Sequence, residues 1–461
     1  MHVDITFIGA ARTVTGSLHL FEYKKQKFLL ECGLYQGHRE DAERINQTFP
    51  FKPKDIKAVV LSHAHIDHSG NLPNLAKRGF EGPIYCTSAT KDIASLLLLD
   101  SAKIQEYDIE YVNKKHKKAG LPLKEPLYTT EDAENTLKQF STIDYGQSFE
   151  PVGGVKITLY DAGHILGSSI ILLEVEHKKI LFSGDLGRKN MPIIKDPKVI
   201  DDLDYLILES TYGGRTHKSF EGMTDEFRKI IEIGKQKASK IIIPAFAVER
   251  TQILVTMLKN LYDEGALKDV PVYVDSPLAT NVTDVFRRHP ECFDKETYKI
   301  FTDSDPFNFP GLQYIPNTEA SKRLNGLKGP MIIMSASGMC EGGRVTHHLI
   351  HSIENDDNII VITGFQARGT LGRKILEKSE KIKIFNDQYA VRAKVFFMGG
   401  LSAHADGNDL TEYVKSCKNG RLKKVYLIHG DIEEAIALQS KLETLDSLDA
   451  DIPQSLTRVQ V

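Results

Sequence analysis

Short runs in which apolar and polar positions alternate open the chain: residues 3–8, 18–23 and 28–31 predict β-strands, separated by the glycine-bearing turn 9–17 and the lysine-rich bend 24–27. Gly33 and Gly37 then break the extended pattern, and the spacing over 39–49 predicts a helix ahead of the apolar run Ala58-Val59-Val60-Leu61. Residues 89–119 carry apolar positions at helical spacing and finish in Lys114-Lys115-His116-Lys117-Lys118-Ala119-Gly120, which reads as a solvated basic helix end. Two later strands, 156–160 and 179–182, run into glycine turns that present His164 and Asp185. The middle of the chain changes character. Continuous apolar strands at 240–244, 272–275, 331–334 and 359–362 each lead into a helical segment, starting at Val248, Leu278, Glu341 and Gly369. Uninterrupted apolar strands alternating with helices predict a parallel sheet covered on both faces.

Length and composition sharpen this picture only slightly. A chain of 461 residues exceeds what one core holds, so two domains are expected. With 41% hydrophobic and 26% charged residues the chain has globular composition, and no apolar run approaches bilayer length, so no membrane association is expected. The N-terminus begins as a strand with neither a basic flank nor an apolar signal segment, which predicts a cytoplasmic protein. Five scattered cysteines (Cys32, Cys86, Cys292, Cys340, Cys417) predict reduced structural thiols. A net charge of -3 means that a polyanionic partner would need a locally basic surface.

The chemistry concentrates in His63-Ala64-His65-Ile66-Asp67-His68, directly after the apolar run ending at Leu61. Residues two apart on an extended chain point the same way, so His63 and His65 can converge on one ion while the turn from Ile66 sends Asp67 and His68 towards a neighbour. Imidazole and carboxylate without thiolate favour Zn²⁺, with Mn²⁺ or Fe²⁺ as alternatives. His164 and Asp185, each alone at a turn, gain weight because such a cluster needs further donors.

The order His63-x-His65-x-Asp67-His68, His164, Asp185 resembles the metallo-β-lactamase superfamily. Leu208-Glu209-Ser210-Thr211-Tyr212-Gly213, Ser402-Ala403-His404-Ala405-Asp406 and Leu427-Ile428-His429-Gly430 are similar to motifs A, B and C of its β-CASP nucleases. The resemblance runs from about Gly9 to His429. It implies an α/β protein: an αββα metallo-β-lactamase sandwich with an inserted parallel α/β β-CASP domain. The expected boundaries are 1–208 and 381–461 for the sandwich and 209–380 for the insertion. It further implies two Zn²⁺ ions, one held by His63, His65 and His164, the other by Asp67, His68 and His429, with Asp185 bridging. Asp67 also orients the attacking hydroxide in this reading, and His404, polarised by Glu209, is the general acid. One position departs: Glu31, in Glu31-Cys32-Gly33, stands where the superfamily usually has aspartate, which puts the orientation of the metal ligands in question.

The implied activity is hydrolysis of RNA phosphodiester bonds to 5'-phosphate and 3'-hydroxyl ends, endonucleolytic and open to exonucleolytic cutting. Family members acting on DNA tend to carry an aliphatic residue where this chain has His429, so RNA is the expected partner. Ligands of parallel α/β sheets bind beyond the carboxyl ends of the strands, which points to Arg250, Ser337, Arg368 and Thr370 as phosphate contacts, joined by Ser402 of motif B, with Arg12, Arg188, Arg215 and Arg344 as further cations to place. A homodimer is compatible with the sequence. Two rival functions are a non-catalytic RNA-processing scaffold, which usually loses ligands, and a small-molecule thioesterase or lactonase, which lacks motifs A to C.

Overall fold

A computed structural model describes residues 2–367, 369–418, 420–445 and 448–461, apart from the side chain of Arg39. The chain forms two compact units. The first comprises Met1–Lys189, Asp196–Thr216 and His404–Val461; the second comprises Asn190–Lys195 and His217–Ala403.

Two seven-stranded sheets build the first unit. One follows the spatial order Thr457–Gln460, Asp4–Phe7, His19–Tyr23, Gln26–Leu30, Ile56–Val60, Ile84–Cys86, Phe140–Thr142. The other runs Ala450–Asp451, Lys424–Ile428, Tyr205–Glu209, Lys178–Phe182, Ser169–Val175, Val155–Asp161, Ser148–Val152. The strand Ser169–Val175 shows how sequence makes layers. Its residues alternate sides with period two. Ile171, Leu173 and Val175 join the core between the sheets with Phe7, Phe21, Phe28 and Val60. Ile170 and Leu172 join a second core with Leu410 and Val414 of the helix Gly407–Cys417 and Leu438 and Leu442 of the helix Ile432–Glu443. Tyr205–Glu209 and Lys424–Ile428 divide in the same way, so the sheet is buried on both faces. Each Leu or Ile held there contributes about 1.5–3 kcal/mol.

The helix Ser88–Ala119 is capped at its start by Thr87, whose side chain accepts from the Thr90 amide, and ends at Gly120 in the left-handed region. The helix expected over 39–49 stops at Gln47. Thr48 is extended and Phe49 precedes Pro50, which disfavours helical backbone at the residue before it.

The second unit carries a six-stranded sheet, ordered Leu312–Tyr314, Val272–Val274, Met331–Ser335, Lys240–Pro244, Ile359–Ile362, Lys394–Phe397, with every pairing parallel. The sequence pattern reveals its four central strands; Leu312–Tyr314 and Lys394–Phe397 are additional. Its boundaries differ from 209–380. Glu209 stays in the first unit because Tyr205–Glu209 pairs along its length with Lys424–Ile428. The segment Lys381–Ile384 does not return to the first unit. It forms an antiparallel hairpin with Asp387–Ala390, and Ile382 and Ile384 bury in the second unit's own core beside Ile375 and Ile353.

Candidate metal centre

Strand ends of both sheets of the first unit supply the site. Leu61 and Ser62 continue from Ile56–Val60, and His65 starts the short helix Ile66–Ser69, whose turn is tied by the Ser69 hydroxyl donating to the Ala64 and His65 carbonyls. Gly33 lets the neighbouring chain lie against this turn: a Cβ there would run into the Asp67 carbonyl, and Cys32 and Leu34 donate backbone hydrogen bonds to His68 and Ile66. Gly187 does the same opposite His164, since a Cβ would strike the Gly163 carbonyl. The loop of His164 is held by Ser168 Oγ, which accepts from the His164 and Ile165 amides.

These contacts assemble two groups of donor atoms. In the first, His63 Nε2 lies 3.1 Å from His65 Nδ1, His65 Nδ1 lies 3.3 Å from His164 Nε2, and Asp185 Oδ2 stands 3.5 Å from His63 Nε2 and 3.6 Å from His164 Nε2. In the second, His68 Nε2 is 3.1 Å from His429 Nε2, Asp67 Oδ2 is 3.5 Å from His429 Nε2 and 3.9 Å from His68 Nε2, and Asp185 Oδ1 is 3.3 Å from His68 Nε2. Four ligands about 2.0–2.1 Å from a tetrahedral ion stand about 3.3–3.4 Å apart, so both groups have the size such an ion needs. Asp185 Oδ1 is buried and accepts no hydrogen bond among the described residues. The two oxygens of Asp185 therefore face different groups, the arrangement a bridging carboxylate requires.

Protonation of the first group suits ligation. Burial holds His63 and His164 well below the usual histidine range and brings His65 down to about 4, keeping these rings neutral and able to ligate. Burial opposes charge on Asp185 too, yet His429, His68, His404 and His63 around it more than offset that and hold its carboxyl well below the usual range. His68 goes the other way. Burial disfavours its charge, but Asp185, Asp67 and Glu31 raise it well above the usual value.

Partners behind the donors set the ring orientations. Glu31, fully buried, accepts from the Ser62 amide through Oε1 at 2.6 Å and from His68 Nδ1 through Oε2 at 2.6 Å. The longer carboxylate thus reaches the ring and turns Nε2 towards the site. Ser62 Oγ sits 2.9 Å from His63 Nδ1, and Thr211 Oγ1 sits 3.2 Å from His429 Nδ1 while donating to the His429 carbonyl. The sequence assigns no role to Ser62, Ser168 or Thr211; their signal is a hydroxyl inside motif A for Thr211, directly before His63 for Ser62, and four residues after His164 for Ser168.

Glu209 and His404 stand beside this cluster. Glu209 Oε1 accepts from the Leu186 amide at 2.6 Å, Oε2 from the Thr211 amide at 3.3 Å, and both oxygens lie 3.2 Å from His404 Nδ1. Burial disfavours charge on His404, but Glu209 and Asp185 outweigh it and raise its pKa to about 9. The ring is therefore an imidazolium at neutral pH, with 20% of its side chain exposed.

The phosphate-contact candidates belong to the second unit. Arg250 begins the helix Arg250–Asp263, and its guanidinium packs where a Cβ on Gly364 would be. Ser337 follows the strand Met331–Ser335, Ser402 is buried after the turn Gly399–Leu401, and Thr370 caps the helix Leu371–Leu376 by accepting from the Arg373 amide. Arg368 lies outside the described residues. Of the further cations, Arg12 donates to the Ile452 carbonyl, Arg215 pairs with Glu434 and Arg344 with Asp275, so all three are engaged within the protein, and Arg188 is buried.

A two-sheet sandwich with histidines and aspartates converging from its strand ends defines a metal-dependent hydrolase, and the cluster is the candidate site for a divalent metal. Residues 20–201 match the metallo-beta-lactamase superfamily domain, 251–375 the Beta-Casp domain, and 388–453 the Zn-dependent metallo-hydrolase RNA specificity domain. Over 93% of its length the chain is 35% identical to "Ribonuclease TTHA0252" of Thermus thermophilus, spanning 94% of that protein. It is 30% identical to an "RNase J-like protein" of Methanocaldococcus jannaschii, covering 94% of both chains, and 29% identical to "Transcription termination factor FttA" of the same organism, covering 72% of that longer protein. A solved protein of unknown function from Enterococcus faecalis V583 shares the fold with TM-score 0.56 and 14% identity over 100% of both chains. The chain belongs to the β-CASP family of the metallo-β-lactamase superfamily. Among the described residues no helix is long and apolar enough to cross a membrane.

Proposed function

We propose that the protein is a di-zinc ribonuclease that hydrolyses RNA phosphodiester bonds to 5'-phosphate and 3'-hydroxyl ends, endonucleolytically and also, where an end is presented, exonucleolytically. The observation that carries this reading is the pair of donor groups joined by Asp185, with His404 Nδ1 only 3.8 Å from Asp185 Oδ2 and held by Glu209. Ribonuclease TTHA0252 and the RNase J-like protein, together with the RNA specificity domain matched at 388–453, support RNA as the substrate.

His63, His65 and His164 would hold one ion, Asp67, His68 and His429 the other, and Asp185 both. Such ions, when bound, supply hydroxide at neutral pH and offset charge on the phosphate. Asp67, with 22% of its side chain exposed, also aims the attacking water. His404 completes the reaction. Its Nδ1 is held by Glu209, so its other ring nitrogen carries the proton that the leaving ribose oxygen needs. As the P–O3' bond breaks, that proton passes to O3' and yields the 3'-hydroxyl, while the incoming oxygen remains on phosphorus as the 5'-phosphate. Against burial, the buried Glu209 carboxylate favours the protonated ring. Arg250, Ser337, Arg368, Thr370 and Ser402 are phosphate contacts in this reading. A cytoplasmic location is supported by five buried cysteines that form no disulfide among the described residues.

The test is incubation of the purified protein with end-labelled single-stranded RNA and matched DNA at one salt concentration, with and without chelator. RNA cleavage to 5'-phosphate ends, abolished by chelation, is expected. Equal turnover of the DNA, or cleavage that survives complete metal removal, contradicts the reading.

A further inference from the structure

The second unit exposes three phenylalanines at neighbouring strand ends. Phe246 lies two residues beyond Lys240–Pro244, Phe365 three beyond Ile359–Ile362, and Phe397 ends Lys394–Phe397; they are 41%, 41% and 46% exposed. These strands are consecutive in the sheet. Pro244 pairs level with Ser335, and Ile362 with Phe397, so the carboxyl ends form one edge. At about 4.8 Å per strand the three positions span about 10 Å. Single exposed apolar residues need no explanation, but three on successive strands at the edge where parallel sheets bind ligands form a surface.

That edge is built to hold the rings. A Cβ on Gly338 would come within 2.7 Å of the Phe246 ring, and one on Gly399 would strike the Phe397 ring, so glycine clears a place for each. The buried Gln366 amide donates to the carbonyls of Gly338, Gly364 and Phe365 at 3.1, 3.3 and 3.0 Å, tying the Phe365 loop to the Gly338 turn against which the Phe246 ring packs. The Arg250 guanidinium packs at Gly364, which places a cation within the row.

We propose that Phe246, Phe365 and Phe397 are a stacking platform for the bases of unpaired RNA, a proposal that rests on the ribonuclease reading and narrows its substrate to single strands. Aromatic faces with an arginine among them are the composition that binds single-stranded nucleic acid without reading sequence. A duplex hides its base faces in the helical stack and cannot use such a row. An apolar peptide or a second copy would have no use for the cation, and Phe397 lies within the region matching the RNA specificity domain.

The experiment measures equilibrium binding by the full-length metal-loaded protein, in a His404→Ala background that slows cleavage. Three probes are used: short oligoadenylate, an abasic ribose-phosphate oligomer of equal charge, and duplex RNA. Each Phe→Ala substitution should weaken oligoadenylate binding about 5- to 150-fold. Abasic and duplex binding, and the salt dependence set by phosphate contacts, should stay unchanged. Phe→Tyr should restore affinity, and Phe→Leu, which keeps the bulk, should not. Equal losses on oligoadenylate and abasic oligomer, or no loss on either, overturn the platform. The ribonuclease reading fails separately, if the unsubstituted protein cleaves no RNA at all.

Discussion

Shortening Glu31 to aspartate tests whether the buried carboxylate orients His68. Removing one methylene withdraws the carboxylate by about 1.5 Å. Both of its bonds are 2.6 Å long, so each would stretch to about 4 Å, past hydrogen-bonding range. A hydrogen bond to a charged group is worth about 1.5–3 kcal/mol, and loss of a partner behind a metal ligand typically costs about 10- to 100-fold in metal affinity or activity. We expect Glu31→Asp to weaken the site of Asp67, His68 and His429 by that factor and leave the other site intact. Glu31→Gln keeps the reach but changes the proton. Its oxygen still accepts from the Ser62 amide, so its NH₂ must donate to His68 Nδ1, forcing the ring proton onto Nε2, where a ligand needs a lone pair. Both variants should therefore fall from two ions towards one on dialysis against a graded chelator, read by elemental analysis and a competitive zinc indicator. If Glu31→Asp and Glu31→Gln each keep two ions with wild-type affinity, Glu31 does not orient His68 and the argument is wrong.

Three other outcomes follow from the same geometry. His65→Ala should lose metal and cleavage together, and an active wild-type preparation holding less than one ion per chain would refute the two-ion site. His404→Ala should retain both ions and lose about 10²- to 10⁴-fold in cleavage rate; RNA with a sulfur leaving atom, which departs without a proton, should restore much of it, and an unchanged defect on that substrate would remove His404 as the acid. In the second unit, burial would raise the Asp275 carboxyl, but hydrogen bonds with His348, Ser321 and Arg344 hold it below its usual value. Its contribution is therefore complete above the unfolded pKa of about 3.9 and is lost as pH falls through the lower folded value. Asp275→Asn should cost about 3–5 kcal/mol at pH 7 in urea unfolding and show a smaller acid loss than wild type; identical acid sensitivity would contradict this.

The candidate metal donors are legible because they sit in short motifs whose spacing is itself geometry: His63 and His65 share a face of extended chain, and His68 follows one helical turn on. His164, Asp185 and His429 were legible only as members of an ordered set, since each is a lone residue at a strand end. Register was not readable. The Lys381-Ile382-Lys383-Ile384 alternation fits any sheet with an apolar face, and the second unit's hairpin takes it because Ile382 and Ile384 find Ile375 there. Three-residue Leu312–Tyr314 is too short to show a period, and Lys394–Phe397 lies beyond the expected boundary.

Side-chain aim was the other illegible quantity, and it separates the two kinds of residue in this chain. Arg344 in Gly342-Gly343-Arg344 looks like a phosphate contact by composition, yet Asp275 at the end of a neighbouring strand holds it at 2.6 Å while also meeting His348 at 2.6 Å. A buried carboxylate needs such partners, and it recruits whatever cation the fold brings near. Histidines of the candidate site are arranged the opposite way. His68 and His404 each give Nδ1 to a buried glutamate, Glu31 or Glu209, and that bond orients the other nitrogen towards the chemistry. Both glutamates are fully buried at strand ends, one in each sheet of the first unit. A histidine whose ring is fixed from behind and a histidine or arginine consumed by a core carboxylate carry the same letters in sequence; only the position of the carboxylate relative to the ring distinguishes a site from a brace.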